Sequence, residues 1–470
     1  MNKFFDIERH KNKVALIDEF KGQLTYADLV KIGSQLYPDK KKSYIKNLIF
    51  ILCKNNFETI TGYITFLKKE FTVLLLSANI SHKNLKKLIL IYKPNYVYGE
   101  KEKVKLLKKK VTKTIGSYAL TSFRFKNNTK LNSNLSILLQ TSGTTGSPQL
   151  VRHSYKNIIF SSNAISNYLK IKTNDRVITT LPMNYTYGLS IINSHLLKGS
   201  SIILTDHSIL TRNFWEIFEK HKATTFGGVP YTFEILDKLK FEKMKLTNLR
   251  YVTQAGGKLN DHLIKKFNNI GKKNSFKFFV MYGQTEATSR MSYLNPKYNL
   301  TKLGSIGKPI RGGAFLLVNE KGKKINRPGV KGELIYKGKN VCMGYAEKRK
   351  DLAKGDDKFS VLKTGDLATF DKDRFYYIAG RKKRFIKFFG HRVNLEDIEK
   401  TIHKYNFQCV CSGNENKINF YIKTKNISLE NKIKDIIKNE FSFIRDNFKI
   451  ILIDDFKRNE IGKIIYHKYH

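Results

Sequence analysis

The sequence predicts an α/β protein with a large N-terminal region, residues 1–381, and a small α+β domain, residues 382–470. Apolar segments of strand length alternate with amphipathic stretches of helical length over roughly the first three hundred residues. From about residue 304 to 380 the segments are shorter and rich in glycine, as is typical of β structure. After "GRKKRFIK" the alternation resumes, so we expect the domain boundary near Lys382–Lys383.

The strand predictions depend on short apolar runs that turn residues bound on both sides. Parallel sheets with covered faces follow from the alternation of such runs with helices. One helix start is defined by the sequence: Ser154 is a good N-cap, and apolar residues from Tyr155 to Leu169 recur on one side of the following helix. The predicted strands are NLIFILC, FTVLLLS, LSILLQT, DRVITTLP, SSIILTD, LRYVTQAG and FKFFVMYG.

Composition excludes several classes of protein. The N-terminal twenty residues carry regularly spaced charges instead of a continuous apolar stretch, so we expect no secretory signal. No uncharged apolar run approaches the roughly 18 residues that a membrane span needs, so none is expected. Four cysteines in 470 residues are too few for a disulfide framework. We therefore expect a cytoplasmic protein.

The net charge of +48 raises the question of a nucleic-acid partner. Of the 87 basic residues 71 are lysine, and they are spread along the whole chain. Base and phosphate recognition favours arginine, and no zinc-finger spacing or RNA-binding signature is present. We interpret the excess as solvated lysine, expect no specific nucleic-acid partner, and expect anionic substrates to be attracted.

A loop of small hydroxyl and glycine residues, "TSGTTGSP", follows the apolar run "LSILLQ". Gly143 and Gly146 permit close backbone approach, and successive N–H groups of such a turn form an anion-binding concavity. A Walker sequence is absent. A flexible surface linker is the alternative, but we expect the segment to lie after an apolar strand and before the helix capped by Ser154, and linkers rarely interrupt such an α/β unit. The loop therefore predicts phosphate binding.

Four further motifs carry polar groups of matching chemistry. "YGQTEAT" follows a predicted strand, where open α/β sheets bind ligands, and its Glu286 is a candidate Mg²⁺ ligand. "KTGDL" places Asp366 after a glycine turn, where it could accept from ribose hydroxyls. "GRKKRFIKFFGHRV" supplies cations, and "NEIGKI" places Lys463 after a glycine.

The order and spacing of these motifs resemble the adenylate-forming superfamily of AMP-binding enzymes: acyl-CoA synthetases, aryl-CoA ligases and carrier-loading adenylation domains. The resemblance extends from about residue 15 to 464. It implies a large N-terminal region of α/β subdomains with a distorted β-barrel, and a small mobile C-terminal domain. It also implies ATP and Mg²⁺, a carboxylic acid substrate, an acyl-adenylate with release of pyrophosphate, and thioester formation with CoA.

The resemblance implies a role for each matching residue. Lys463, Thr285 and Glu286 would be catalytic, Glu286 also carrying Mg²⁺, and Lys383 would be the hinge. The nucleotide residues would be Thr141, Ser142, Gly143, Thr144, Thr145, Gly146, Gly256, Gly257, Tyr282, Gly283, Gln284, Asp366 and Arg381. The acid pocket would include Tyr185, Tyr187, Gly188 and Gly228.

The chain departs from the family pattern at several positions. Gln149 stands where the family usually has lysine, and Arg152 is a candidate to supply the missing charge. Tyr185 stands where many relatives have histidine, and the lead-in to Gly462-Lys463 lacks its usual proline and threonine. No aspartate within "LPMNYTYGLS" can pair a substrate ammonium, which disfavours an α-amino acid. The tyrosines indicate a neutral-tailed acid.

Three alternatives stay open from sequence. The thiol acceptor could be an acidic acyl carrier protein, which a basic surface would suit as well as it suits CoA. The chain could be a non-catalytic descendant that binds nucleotide, as Gln149 hints, although Glu286, Asp366, Arg381 and Lys463 are retained. A nucleic-acid or membrane-surface binder driven by charge is the third.

Overall fold

The computed structural model describes residues 7–19, 21–37, 46–125, 129–140, 149–388, 391–441, 447–460 and 462–469. The chain divides into two compact units. The first consists of residues 1–315 and 336–362, and the second of residues 316–335 and 363–470. No helix in these ranges is both long and apolar enough to cross a membrane.

The strands of the described residues are, in chain order, β1 Val14–Asp18, β2 Gly22–Thr25, β3 Leu48–Cys53, β4 Thr72–Ser77, β5 Tyr96–Glu100, β6 Val111–Ile115, β7 Tyr118–Ser122, β8 Leu135–Gln140, β9 Leu150–Ser154, β10 Arg176–Ile178, β11 Ser201–Ile203, β12 Thr225–Gly228, β13 Tyr251–Gln254, β14 Lys277–Tyr282, β15 Ser292–Leu294, β16 Lys308–Pro309, β17 Gly313–Val318, β18 Lys324–Ile325, β19 Gly332–Gly338, β20 Gly344–Ala346, β21 Val361–Phe370, β22 Tyr376–Arg381, β23 Phe385–Phe388, β24 His391–Asn394, β25 Cys409–Gly413, β26 Ile418–Lys423 and β27 Phe448–Ile453.

The α-helices are α1 Tyr26–Leu36, α2 Phe57–Lys68, α3 His82–Tyr92, α4 Lys101–Lys105, α5 Tyr155–Tyr168, α6 Thr186–Lys198, α7 Arg212–Lys220, α8 Pro230–Lys238, α9 Asp261–Lys273, α10 Leu395–Lys404 and α11 Leu429–Phe441. Each of the seven apolar runs predicted as strands contains a strand of the structure, β3, β4, β8, β10, β11, β13 and β14. The alternation of strands and helices in the first unit is thus confirmed.

The first unit contains a nine-stranded sheet of order β16-β15-β14-β13-β12-β10-β11-β1-β2. The six strands from β14 to β1 in this order are parallel, and β15, β16 and β2 pair antiparallel at the edges. Strands β12 and β13 are fully buried, as expected when helices cover both faces. Gly228, Gln254 and Val280 are register partners, so β12, β13 and β14 end at the same edge.

The second sheet of this unit has the order β20-β9-β8-β4-β3-β5-β7-β6. Its central strands β8, β4, β3 and β5 are parallel, and their apolar runs are buried almost throughout. The predicted cap of α5 is confirmed, because the Ser154 hydroxyl accepts from the Asn157 N–H at 3.2 Å. However, β9 separates the "TSGTTGSP" segment from this helix, so that segment connects two antiparallel strands instead of leading into a helix.

Most residues of a five-stranded sheet, β18-β17-β19-β21-β22, belong to the second unit. The glycine-rich stretch 304–380, predicted as β structure, supplies these strands, and its strands β16 and β20 join the two sheets described above. The hairpin β23–β24 and the three-stranded sheet β25-β26-β27 follow, with α10 and α11 packed on a core that includes Ile402, Phe420 and Ile433. The predicted boundary at Lys382–Lys383 lies at a short 3₁₀ turn, Lys382–Arg384, inside this unit.

Candidate active site

The carboxyl ends of four parallel strands, β10, β12, β13 and β14, lie side by side at one edge of the nine-stranded sheet. The segments that leave these ends contain most of the site residues predicted for the first unit. The turn after β10 leads to Tyr185, β12 ends at Gly228, β13 is followed by Gly256 and Gly257, and β14 ends at Tyr282. This edge is where open α/β sheets bind ligands.

The segment from Tyr282 to Glu286 turns back sharply after β14. A Cβ atom on Gly283 would lie 1.6 Å from the carbonyl oxygen of Ser289, so only glycine fits. Thr288 and Ser289 both have positive φ, 49° and 80°. Two consecutive non-glycine residues in this region store backbone strain, a property that clusters at functional sites.

Three residues of the first unit fasten this strained turn. The buried Asn340 amide donates to the carbonyl oxygens of Ala287 at 2.8 Å and Arg290 at 3.1 Å, and the Cys342 N–H donates to the Glu286 carbonyl oxygen at 2.7 Å. Asn340 is in turn held by the Tyr336 hydroxyl at 2.8 Å. Sequence reasoning missed Asn340, because nothing in the local pattern shows that residues 50 positions apart meet.

The Glu286 carboxylate has one protein donor identified: the Tyr345 hydroxyl contacts its Oε1 atom at 3.1 Å. Burial, and next the Glu286 charge, raise the pKa of Tyr345, so the hydroxyl keeps its proton and donates. Glu286 itself is half-buried. Among the described residues no cluster of three acidic, histidine or cysteine side chains could hold a metal. A single oriented carboxylate fits Mg²⁺ shared with substrate phosphates, which needs one or two carboxylates.

Thr285 is tied to the start of α6, since its hydroxyl lies 3.1 Å from the hydroxyl of Thr186. Tyr185, the N-cap of this helix, is half-buried and packs edge-on against Tyr187. Tyr187 is fully buried and donates to the Thr253 carbonyl oxygen at 2.8 Å. A Cβ atom on Gly188 would lie 2.4 Å from the Pro182 carbonyl oxygen, so this glycine serves the close packing of the turn.

The two glycines after β13 shape the turn beside this segment. Gly256 has φ of 93°, and the Gln254 amide donates to the Gly257 carbonyl oxygen at 2.9 Å. A Cβ atom on Gly228 would lie 2.7 Å from a methyl carbon of Thr232. Small residues at these three positions let the backbones of neighbouring turns approach one another at the sheet edge.

The predicted phosphate residues Thr141 to Gly146 lie outside the described residues. The strands on either side, β8 and β9, are described, and the Gln149 amide reaches the Glu347 carboxylate at 3.4 Å. Arg152 is fully buried, and its guanidinium donates to four main-chain carbonyl oxygens and the Asp357 carboxylate. This geometry argues against the hypothesis that Arg152 supplies charge in place of Gln149.

The remaining predicted residues belong to the second unit. Asp366 is 3% exposed, faces Arg381 across strands β21 and β22, and pairs with its guanidinium at 3.2 Å. The Lys463 N–H donates to the Asn459 side chain at 2.9 Å in a turn closed by Gly462. Lys383 lies in the 3₁₀ turn between β22 and β23.

Known proteins similar to this chain belong to one enzyme family. Residues 5–346 match the model of the AMP-binding enzyme family. The 2-succinylbenzoate–CoA ligase of Bacillus pumilus (strain SAFR-032) is 28% identical over 281 residues, which are 59% of this chain and 55% of that protein. The ligase of the same name from Bacillus subtilis (strain 168) is 26% identical, over 70% of this chain and 67% of its own. The matched region thus spans between about half and two thirds of these relatives.

A solved structure shares the fold over nearly the whole chain. The o-succinylbenzoate CoA synthetase from Bacillus subtilis, in complex with its acyl-adenylate intermediate, superimposes with a TM-score of 0.78 at 20% identity. The superposition covers 98% of this chain and 97% of that one. The predicted fold class, a large α/β region followed by a smaller C-terminal sheet domain, is confirmed by this likeness.

Proposed function

Because the chain belongs to the AMP-binding enzyme family, we propose that it is an AMP-forming acid–thiol ligase that activates a carboxylic acid with ATP and transfers the acyl group to CoA. The observation that carries this proposal is the Thr285–Glu286 turn, held at the edge of four parallel strands with its carboxylate oriented by Tyr345. A strained, tightly fastened turn with one oriented acid is suited to position a nucleotide phosphate and its cation.

The family roles give each residue a place in this proposal. Thr285 contacts the α-phosphate, Glu286 holds Mg²⁺, and Tyr282 packs on the adenine beside Gly256, Gly257, Gly283 and Gln284. Asp366 and Arg381 bind the ribose, Lys463 of the small domain 382–470 contacts the reacting oxygens, and Lys383 is the hinge. The β- and γ-phosphates are assigned to Thr141, Ser142, Gly143, Thr144, Thr145 and Gly146, and the acid to the pocket beside Tyr185, Tyr187, Gly188 and Gly228.

The proposed chemistry has two steps. A carboxylate oxygen of the acid forms a bond to the α-phosphorus of ATP, the bond from that phosphorus to the bridging oxygen of pyrophosphate breaks, and an acyl-adenylate forms. The CoA sulfur then bonds to the acyl carbon and the thiol proton is released. The single bond from the acyl carbon to the oxygen that bridges it to phosphorus breaks, and AMP leaves with that oxygen and the bonding electron pair. Donors fixed in place, such as the Thr285 hydroxyl and the Lys463 ammonium, stabilise the charge that develops on phosphate oxygens. Bound Mg²⁺ would supply further neutralisation of phosphate charge.

CoA is the acceptor that the relatives' names favour. An acidic acyl carrier protein is the alternative, and these relatives give it no support. The cytoplasmic location and the absence of a specific nucleic-acid partner stay predictions. The acid is an aryl or aliphatic carboxylate, and 2-succinylbenzoate, the substrate named for the relatives, is the first to be tested.

The experiment is ATP–pyrophosphate exchange with short, medium, aryl, hydroxy, amino and dicarboxylic acids, followed by AMP and thioester measurement with CoA or a carrier protein. We expect exchange that depends on Mg²⁺ and on one class of acid, and a thioester with CoA. Absence of exchange with every acid, while ATP still binds, would favour the non-catalytic alternative. A thioester formed only with carrier protein would move the acceptor assignment to that partner.

A further inference from the structure

Two arginine side chains are less than 2% exposed in the described part of the chain, Arg152 and Arg290, and their surroundings differ. The Arg152 guanidinium is neutralised, because it donates to the Asp357 carboxylate and to four main-chain carbonyl oxygens. Arg290 has no such environment. Fully buried arginines are almost always paired with an acid, as Arg152 is.

The partners of Arg290 are all uncharged. Its Nε donates to the Ser190 hydroxyl at 3.1 Å, and its Nη1 faces the Tyr168 hydroxyl at 3.0 Å and the Met281 sulfur at 3.1 Å. The guanidinium carbon lies 4.9 Å from the ring centroid of Tyr187. Within the described ranges no carboxylate is at ion-pair distance from Arg290, and no acceptor faces its Nη2.

The arginine side chain is a permanent cation in proteins. Transfer of a charge from water to a protein interior is costly unless an opposite charge or several hydrogen bonds compensate. Hydroxyl groups and one aromatic face compensate the charge only partly. The two N–H groups on Nη2 have no acceptor among the described residues, and a charged N–H donor of this kind makes strong hydrogen bonds to a carboxylate oxygen. Among the described residues no negatively charged group therefore compensates the guanidinium of Arg290.

Arg290 lies close to residues assigned to the substrate. It follows Glu286 by four residues, and its partners Tyr187 and Ser190 belong to α6, the helix whose first residue contacts Thr285. A small cavity between α5 and α6 is lined by Ser190, Thr186 and Thr288, among others. Through Tyr187, one of the residues assigned to the acid, and Ser190, which lines this cavity, the guanidinium thus contacts the surroundings of the proposed acid pocket.

We propose that Arg290 binds a second carboxylate of the substrate, so that the enzyme activates a dicarboxylic acid. One carboxylate is adenylated beside Thr285, and the other is held by Nη2 of Arg290. This inference rests on the proposed function and replaces the neutral-tailed acid expected from the tyrosines of the pocket. Sequence reasoning missed Arg290, because its burial without an acidic partner exists only in the folded chain.

The test uses acids that differ by one carboxylate: glutarate against valerate, and 2-succinylbenzoate against each of its two monoacids, 2-butyrylbenzoate and 4-oxo-4-phenylbutanoate. ATP–pyrophosphate exchange is measured for the wild-type chain, Arg290→Met, Arg290→Lys and the exposed control Arg212→Met. We expect the wild type to prefer the diacid of at least one pair. Arg290→Met should reduce kcat/KM for that diacid by about 30-fold or more and leave the monoacid unchanged, since it removes one partner of a buried charge pair. Arg290→Lys should retain part of the preference.

Several outcomes would overturn the inference. One is a wild-type preference for the monoacids; another is an equal loss for both members of a pair in Arg290→Met, which would identify a purely structural arginine. If Arg290→Met does not fold, Arg290→Lys decides, because replacing the planar guanidinium by a flexible ammonium should still lower the preference several-fold. If no acid supports exchange, the proposed function fails by itself. The inference is then judged by the shift in Tm, which the diacids must raise more than the monoacids in the wild type but not in the variant.

Discussion

The hydroxyl of Tyr345 donates to a carboxylate oxygen of Glu286 at 3.1 Å, although the two residues lie 59 positions apart in the chain. Tyr345 belongs to β20, which pairs antiparallel with β9, and the buried Arg152 contacts the main-chain carbonyl of Tyr345 from that strand. The strand on the carboxyl side of the "TSGTTGSP" segment therefore also anchors the residue that orients Glu286.

Tyr345→Phe tests whether this hydrogen bond orients a metal ligand. Removing the hydroxyl frees one carboxylate oxygen to rotate, and loss of such a supporting contact typically weakens metal affinity by about 10- to 100-fold. We expect the Mg²⁺ concentration for half-maximal ATP–pyrophosphate exchange to rise within that range, and Mn²⁺ binding to the enzyme–nucleotide complex, followed by electron paramagnetic resonance, to weaken equally.

Tyr405→Phe is the matched control, because Tyr405 also donates to a glutamate, Glu440, but on the exposed surface of the small α+β region. Its metal requirement should equal that of the wild type. An unchanged Mn²⁺ affinity in Tyr345→Phe would show that Glu286 is oriented without the hydroxyl.

Gln149→Lys tests the missing charge at the end of the predicted phosphate segment. A cation near ATP phosphates is expected to lower the KM for ATP by roughly fivefold, the equivalent of about 1 kcal/mol. Glu347 lies 3.4 Å from the Gln149 amide and could capture the new ammonium, so the change is also made together with Glu347→Gln. The KM is measured for both forms in pyrophosphate exchange.

Gln149→Met is the neutral control for Gln149→Lys, because the methionine side chain has a similar length and no charge. If the KM for ATP is the same in all forms, a cation elsewhere already fills this place. Arg152 is not that cation, since its donors are engaged.

Lys463→Ala tests the assignment of the C-terminal lysine to the first reaction only. Loss of one fixed donor to developing charge costs about 10²- to 10³-fold in rate. We expect exchange to fall by this amount, while thioester formation from supplied acyl-adenylate continues at the wild-type rate. The exposed Lys468→Ala serves as the control for changes near the terminus. Equal loss in both half-reactions would contradict the assigned role.

The lowered pKa values of two buried histidines predict how the stability of the chain depends on pH. Burial lowers the pKa of His153 to about 3 and of His195 to about 4. His195 donates from Nδ1 to the Ile191 carbonyl oxygen at 2.8 Å, and its Nε2 faces the Tyr251 hydroxyl at 3.1 Å. Both rings are therefore neutral in the folded chain at neutral pH.

The sign of the effect follows from proton linkage. Between pH 6.5 and 4 the unfolded chain, with ordinary histidine pKa values, binds more protons than the folded chain, so the free energy of unfolding falls as the pH falls. Each buried histidine contributes up to about 2 kcal/mol of this loss by pH 5. Tm measured from pH 7 to 5 should fall less steeply in His195→Gln than in the wild type. The exposed His262→Gln should keep the wild-type slope, and an equal slope in all three would refute the prediction.

The local sequence pattern was sufficient to predict the strands and helices and the motifs that follow the strand ends. The strand-length runs, the Ser154 cap and the segment "YGQTE" after β14 are properties of contiguous residues, and periodicity and capping chemistry act over a few positions. Register and strand order are not local. For that reason the sequence placed the phosphate segment before a helix, whereas it lies between the antiparallel strands β8 and β9.

The sequence by itself predicted the alternating α/β class and the α+β type of the small C-terminal domain. It also supplied the candidate site residues Thr285, Glu286, Asp366 and Lys463. Only the tertiary structure decided that Arg152 is a structural cation, that Tyr345 holds Glu286, and that Arg290 is buried with no acid beside it among the described residues. The physical reason is that charge compensation depends on which groups surround a side chain after folding, and those groups come from strands and helices far apart in sequence.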